Sequence, residues 1–379
     1  MSPPRESGCA TSPTVREGRR DLRWPIRILA LAAVVVILYF ALRGAELADV
    51  WRALQALKLW QIGIILAIDV SIHALMAARW WLIVRTEDRG TPYLPLVAMR
   101  LAAFGVSYFT LGPQVGGEPL QILYLRRQRK TTFARAAASV LMDKLLELLA
   151  NFALLLLALS AIPRTQILGG FPAISSLAFF VLLCLAAWPV AHVVLLGQGR
   201  YPVTAALRVL PALSREARLV RHVRAAERLA GQFCRRHTGA LIRAVLVSLA
   251  AAGASVMEYS FITSFVVSGL SFWQNISAWS AGWLSFLFPT PAGLGALEAS
   301  QVLALGTFGV SSGTAIVVAL IMRARDLLFG GTGLVIAAAT TAHRKSETRS
   351  LGVLLEQEPP DGMPKRALEA ETVWEERHD

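Results

Sequence analysis

Charge is scarce in this sequence. Of its 379 residues 17% are Asp, Glu, Lys or Arg, against about 25% in ordinary soluble domains, and they fall mostly outside several long apolar blocks. Cysteine is scarcer still: Cys9, Cys184 and Cys234 show no C-x-x-C spacing. Three free thiols exclude both a disulfide framework and a zinc site. No GxxxxGK[ST] loop is present to hold ATP. His192, His222, His237 and His378 are scattered without metal-ligand spacing. No nucleophile sits beside a base in a recognisable motif. The expectation is a chain with no catalytic residue, no metal and no cofactor.

What is abundant is apolar. Hydrophobic residues make up 55% and the mean hydropathy is +0.52, the composition of an all-α polytopic membrane protein. The net charge of +13 would fit a nucleic-acid binder, but no nucleic-acid motif accompanies it. Its Lys and Arg residues cluster in loops beside apolar segments, as on a cytoplasmic membrane face opposite anionic lipid. No nucleic-acid partner is expected.

A helix needs about 20 apolar residues to cross a bilayer. Residues 60–84, 133–161, 171–196, 239–268 and 312–342 qualify, and 28–42, between Arg27 and Arg43, reads as a short retained signal anchor. Two further stretches, 94–125 and 272–308, are interrupted by Pro and Gly and read as broken re-entrant hairpins. The predicted architecture is six full spans plus two hairpins. Positive charge in the N-terminal run Arg16, Arg19, Arg20 and Arg23, in Arg126, Arg127, Arg129 and Lys130, and in the 197–238 loop places these pieces and both termini inside. Residues 1–25 read as a basic cytosolic tail, 26–342 as the membrane domain and 343–379 as a flexible cytosolic tail. Within 197–238, Leu207, Leu210, Leu219, Val223 and Leu229 among arginines read either as an amphipathic helix on the inner leaflet or as a solvated connector.

The two interruptions resemble each other. Residues 108–121 read YFTLGPQVGGEPLQ and 285–301 read SFLFPTPAGLGALEASQ, each passing from aromatic residues through Pro and Gly to Glu. Each precedes a span with charges near its middle: Asp143, Lys144 and Glu147, then Arg323, Arg325 and Asp326. This points to repeats over about 60–161 and 239–342, inverted relative to each other by the loop charges. Such repeats with discontinuous helices recur in transporters. Helix hydrogen bonding that stops at membrane depth is tolerated where backbone lines a cavity, and free N–H groups at a half-helix start attract anions. Gly116, Gly117 and Glu118, with Gly293, Gly295 and Glu298, are therefore candidate substrate-binding residues.

Midplane charges cost several kcal/mol unless paired or hydrated. Two readings stand. The charges pair within their helices, Lys144 with Glu147 and Arg323 with Asp326, and only orient them. Alternatively Lys144, Arg323 and Arg325 neutralise a phosphate while Glu118, Asp143, Glu147, Glu298 and Asp326 position those cations or contact an amine. Asp69 and His73, one turn apart, and Glu258 are candidates for proton or ion coupling. Arg79 and Arg100 are expected to snorkel toward the inner surface.

On Gly116-Gly117-Glu118-Pro119, Asp143-Lys144 with Glu147, residues 289–298 (PTPAGLGALE) and Arg323 with Asp326, the sequence resembles the lysylphosphatidylglycerol synthase transmembrane-region family over about residues 25–342. That resemblance implies a flippase-like domain, which in full-length synthases moves aminoacylated lipid between leaflets while a separate soluble domain transfers the amino acid from tRNA. Only about 37 polar residues follow Ala342, so the transferase activity is not expected here. The implied function is translocation of a phospholipid or lipid-linked headgroup across the bacterial inner membrane. Membrane lipids, and a lipid-synthesising enzyme, are the expected partners. The alternatives are a secondary transporter of a small anion and a non-catalytic accessory subunit of envelope-lipid synthesis.

Overall fold

The computed structural model describes residues 58–110, 116–165, 172–209, 217–267, 269–288 and 293–342. The expected anchor at 28–42, Pro113, Pro289, Pro291 and both tails lie outside the described residues. Within them the chain forms eleven helices and no strand: α1 Leu59–Val84, α2 Tyr93–Phe109, α3 Glu118–Arg129, α4 Phe133–Thr165, α5 Pro172–Gly197, α6 Pro202–Val209, α7 Ala217–Arg236, α8 Thr238–Val266, α9 Phe272–Ser285, α10 Ala296–Gly306 and α11 Ser312–Ala342. Helices α1 and α8, of 26 and 29 residues, are long and apolar enough to cross a membrane. Helices α4 and α11 are as long but carry charge near their middles.

The distribution of side chains is inside-out relative to a soluble bundle. Ile62, Ile64 and Val70 of α1, Leu183 and Trp188 of α5, Ile242, Leu246 and Met257 of α8, and Leu328 and Val335 of α11 are exposed, whereas Arg79, Asp143 and Glu258 are buried. Water would penalise that outer surface, and hydrocarbon would not.

Two hairpins, α2–α3 and α9–α10, each precede a long helix and fold onto it. Helix α2 also packs along α11, and α9 along α4, so each hairpin bridges to the long helix that follows the other. Helices α1 and α8 lie against each other and run antiparallel: Trp60 meets Phe265 at one end, and Ile83 shares a cluster with Ala240 and Ala244 at the other. Helix α3 starts with Glu118 and Pro119 in its first turn and ends with Arg126, Arg127 and Arg129 in its last, each matching the helix dipole. Just outside the bundle Asp88 accepts from Thr91 Oγ1 and Gly90 N and pairs with Arg129. Those donors hold its carboxyl below the usual range and tie the α1–α2 loop to the end of α3.

Helix α7 takes a third course between the two readings of the basic loop. Its apolar face, Ala226, Ala230, Phe233 and Cys234, joins a protein core with α1, α4 and α8 rather than facing lipid. Burial pushes the Cys234 thiol up to about 11.

Bilayer hydrocarbon gives apolar helices little reason to associate, so close backbone approach has to supply the attraction. Gly105 and Gly333 let α2 and α11 do this: a Cβ on Gly333 would sit 2.0 Å from the Leu101 carbonyl oxygen, and one on Gly105 would sit 2.4 Å from that of Gly330. Backbone cannot yield as a flexible side chain does. Gly333→Ala is therefore expected to lower thermal stability in detergent, on the order of 1–3 kcal/mol for an overpacked site. Gly331→Ala, where the added methyl meets open space, should leave it unchanged.

Candidate functional site

A cavity of about 160 Å³ opens between the hairpins and the helix pair α1/α8. Ionisable side chains from six helices line it: Asp69 and His73 of α1, Arg100 of α2, Glu118 of α3, Lys144 and Glu147 of α4, Glu258 of α8, and Arg325 with Asp326 of α11. Tyr108, Gln121, Trp279 and Trp283 also line it.

On one side sits a network centred on α4. Asp143 accepts from Arg79 Nε at 2.6 Å and from Arg100 Nη1 at 2.6 Å. Glu147, one turn on, accepts from Arg79 Nη2 at 3.0 Å and Arg100 Nη2 at 2.5 Å. Lys144 donates to Glu147 at 3.2 Å and stands 3.7 Å from Glu118. The expectation that Arg79 and Arg100 snorkel is overturned. Arg79 is 1% exposed, because α1 packs on α4 and brings its guanidinium within hydrogen-bond reach of both carboxylates. Two guanidinium forks across two carboxylates form the bidentate geometry that makes a buried pair tolerable. Lys144 does pair with Glu147, as its spacing predicts.

The opposite side is built on α11. Arg325 donates to Glu258 Oε2 and, at 2.7 and 3.1 Å, to Asp326 Oδ1, and it lies 3.7 Å from Asp69. Arg323 turns away from Asp326, against expectation, and grips Glu298 of α10 through Nε at 2.8 Å and Nη2 at 2.9 Å. Asp326 sits against Arg325 instead, within reach of its guanidinium at the adjacent position. His73 Nδ1 lies 3.1 Å from the Asp69 carbonyl oxygen and 3.5 Å from its carboxylate, the helix contact expected of a pair one turn apart.

The half-helix starts differ from bare anion sites. Gly116 N–H donates to Glu118 at 2.8 Å, Gly117 N–H to Ser107 Oγ at 2.8 Å, and Gly295 N–H to Glu298 at 2.9 Å. In both hairpins a glutamate of the chain already occupies the positive end of the half-helix. Gly293 and Gly295 hold φ of +63° and +76°, a region that favours glycine, and the Gly293 carbonyl accepts from Arg323 at 3.3 Å. Gly293, Gly295, Glu298 and Arg323 thus form a clasp, and Asp143 sits behind the cavity wall. Glu118, Lys144, Glu147, Arg325 and Asp326 reach the wall itself, with Gly117 beside them.

The same contact recurs in both halves: a glutamate at a half-helix start meets a cation eleven residues into the following long helix, Glu118 with Lys144 and Glu298 with Arg323. A sequence profile described as the lysylphosphatidylglycerol synthase TM region matches residues 27–332, most of the chain and both of these contacts. The chain belongs to that family. Membership makes it a membrane domain associated with lipid metabolism. No curated protein and no solved structure matches it.

Beyond the motifs that carry the family resemblance, the fold adds three participants. Arg79 and Arg100 carry half of the α4 network. Gln121, 1% exposed, lines the cavity with its Nε2 unpartnered. It follows Glu118 by three residues, as Gln301 follows Glu298, and that repeated E-x-x-Q was the available signal. Gln301 is satisfied, accepting from Tyr259 at 2.6 Å and donating to the Ala278 carbonyl at 3.2 Å, so the amide open to the cavity is that of Gln121.

Proposed function

We propose that this protein translocates a phospholipid or lipid-linked headgroup between the leaflets of the bacterial inner membrane, with both termini cytoplasmic and no chemical step. The headgroup passes through the cavity while its acyl chains stay in lipid. The swapped packing of the hairpins and the antiparallel α1/α8 pair support two inverted units with the cavity at their junction, the arrangement in which alternating access is achieved by rocking one unit against the other.

One observation carries the reading. Five carboxylates line the cavity, Asp69, Glu118, Glu147, Glu258 and Asp326, against three permanent cations, Arg100, Lys144 and Arg325. A wall with surplus negative charge lowers the desolvation cost of an ammonium group, the term that otherwise blocks its passage. Lys144 and the Gln121 amide offer donors for an adjoining phosphate. The balance favours headgroups bearing an amine over a small free anion, which would meet repulsion and half-helix ends already capped.

The test is reconstitution into liposomes with headgroup-labelled lipids, following the label that an impermeant quencher reaches. Wild-type protein should exchange an aminoacylated or amine-bearing lipid faster than an anionic one. Asp326→Asn should slow the amine-bearing lipid on the order of tenfold, the worth of one charged hydrogen bond. Wild-type protein that exchanges no lipid would end the reading, and faster exchange of the anionic lipid would end its charge argument.

A further inference from the structure

We propose that the acidic side of the cavity, with Glu258 at its centre, binds a proton, and that this proton and the headgroup ammonium replace each other there. Translocation would then be a proton exchange. The proton site stands on its own geometry, while the exchange rests on the lipid reading above.

Three carboxylates, Asp69, Glu258 and Asp326, converge on the single guanidinium of Arg325. Glu258 is 0% and Asp69 4% exposed, and each keeps one oxygen without any hydrogen-bond partner, Glu258 Oε1 and Asp69 Oδ2. Both residues line the cavity. An ionised carboxylate with a bare oxygen at membrane depth is costly, and one guanidinium does not neutralise three.

Among the described residues, neighbouring helices supply no further free cation. From α1 Glu258 faces Asp69 and His73, and the His73 ring stacks on Phe329 with centroids 5.0 Å apart. From α11 it faces Arg325 and Asp326. Across the cavity on α4 lie Lys144, paired to Glu147 and Glu118, and Glu147, held by two arginines. Helix α9 contains no titratable residue, and α7 meets α8 at its far end, near Ala240 and Ala244. Arg323 is taken by Glu298. The remaining ways to balance the cluster are a proton from water, which turns a carboxylate into a carboxylic acid whose O–H can donate, or a cation arriving through the cavity. Those two compete. A monovalent ammonium that enters displaces one proton to water, so the charge of the acidic cluster is unchanged by the swap, and a proton gradient can drive the headgroup without ATP.

Two measurements test this on the full chain. Infrared difference spectra of purified protein between acid and alkaline pH should show the C=O band of a buried carboxylic acid that vanishes as pH rises and is missing in Glu258→Gln. In Asp69→Asn the same band should vanish at lower pH, because a neighbouring negative charge is gone. A wild type without such a band, or a band unchanged in both variants, overturns the proton site. In proteoliposomes loaded with amine-headgroup lipid, an imposed pH gradient should shift the label toward the leaflet facing the acidic compartment at least severalfold over no gradient. Lipid exchange that ignores the gradient overturns the coupling and leaves the translocator standing. A titrating band at Glu258 with no lipid movement supports the proton site and removes the lipid reading.

Discussion

Arg79→Met is expected to be among the most damaging single substitutions in this protein. Arg79 is 1% exposed, as is Asp143, and it bonds both Asp143 and Glu147. Removing it leaves two buried carboxylates to share Arg100 and Lys144. Losing one partner of a buried ion pair costs about 3–5 kcal/mol, because the remaining charge is left uncompensated. Thermal unfolding in detergent should therefore begin roughly 10 °C lower. Arg79→Lys should recover part of the loss, since an ammonium satisfies one carboxylate but cannot fork across two. Adding Asp143→Asn to Arg79→Met should recover more than Lys does, because it removes the orphaned charge itself. An Arg79→Met protein as stable as wild type would mean that the side chain reaches water after all.

The helices were legible where apolar runs end at charge or glycine. The span expected at 312–342 is Ser312–Ala342, and those at 60–84 and 239–268 are Leu59–Val84 and Thr238–Val266. Both interruptions are breaks, with Gly117 and Gly295 at the N-caps of the helices that follow. The pairing of charges was not legible. Along one helix, sequence exposes only i+3 and i+4 neighbours, and that rule found Lys144 with Glu147. It misplaced Arg323, whose partner lies 25 residues away on another helix, and it offered no partner for Arg79, expected to snorkel, whose partners lie 64 and 68 residues away. Which carboxylate an arginine meets depends on how helices pack, and hydropathy does not encode that.

The two sides of the cavity also differ in a way the repeat motif conceals. In the first half, arginines of α1 and α2 neutralise the carboxylates of α4. In the second, α8 brings Glu258 rather than a cation to the facing position on α11, where Asp326 and Arg325 lie. Opposite charge at the two facing positions gives a cavity that is balanced on one side and acidic on the other. A carrier of an amine beside a phosphate needs that polarity, and a symmetric pore would not provide it.

Arg323→Ala and Lys144→Ala should separate what holds the hairpins from what meets the headgroup. Both cations face a glutamate at a half-helix start, so sequence treats them alike. Arg323 is buried and makes a two-pronged contact with Glu298 while bonding the Gly293 carbonyl. Its loss should cost about 3–5 kcal/mol and lower thermal stability markedly. Lys144 is 23% exposed at its side chain, on the cavity wall. Its loss should cost below about 1 kcal/mol, as for a partly hydrated pair, and appear mainly as slower lipid exchange by a folded protein. Exchanging the charges, Glu298→Arg with Arg323→Glu, should fail to restore stability. The pair would be rebuilt, but the Gly295 N–H that Glu298 caps at 2.9 Å would face a donor, and an arginine would sit at the positive end of α10. Full rescue by the exchange would show that the ion pair alone matters and that the cap does not. Equal loss of stability from Arg323→Ala and Lys144→Ala would show instead that both contacts are clasps, and would move headgroup recognition to Glu258, Asp326 and Gln121.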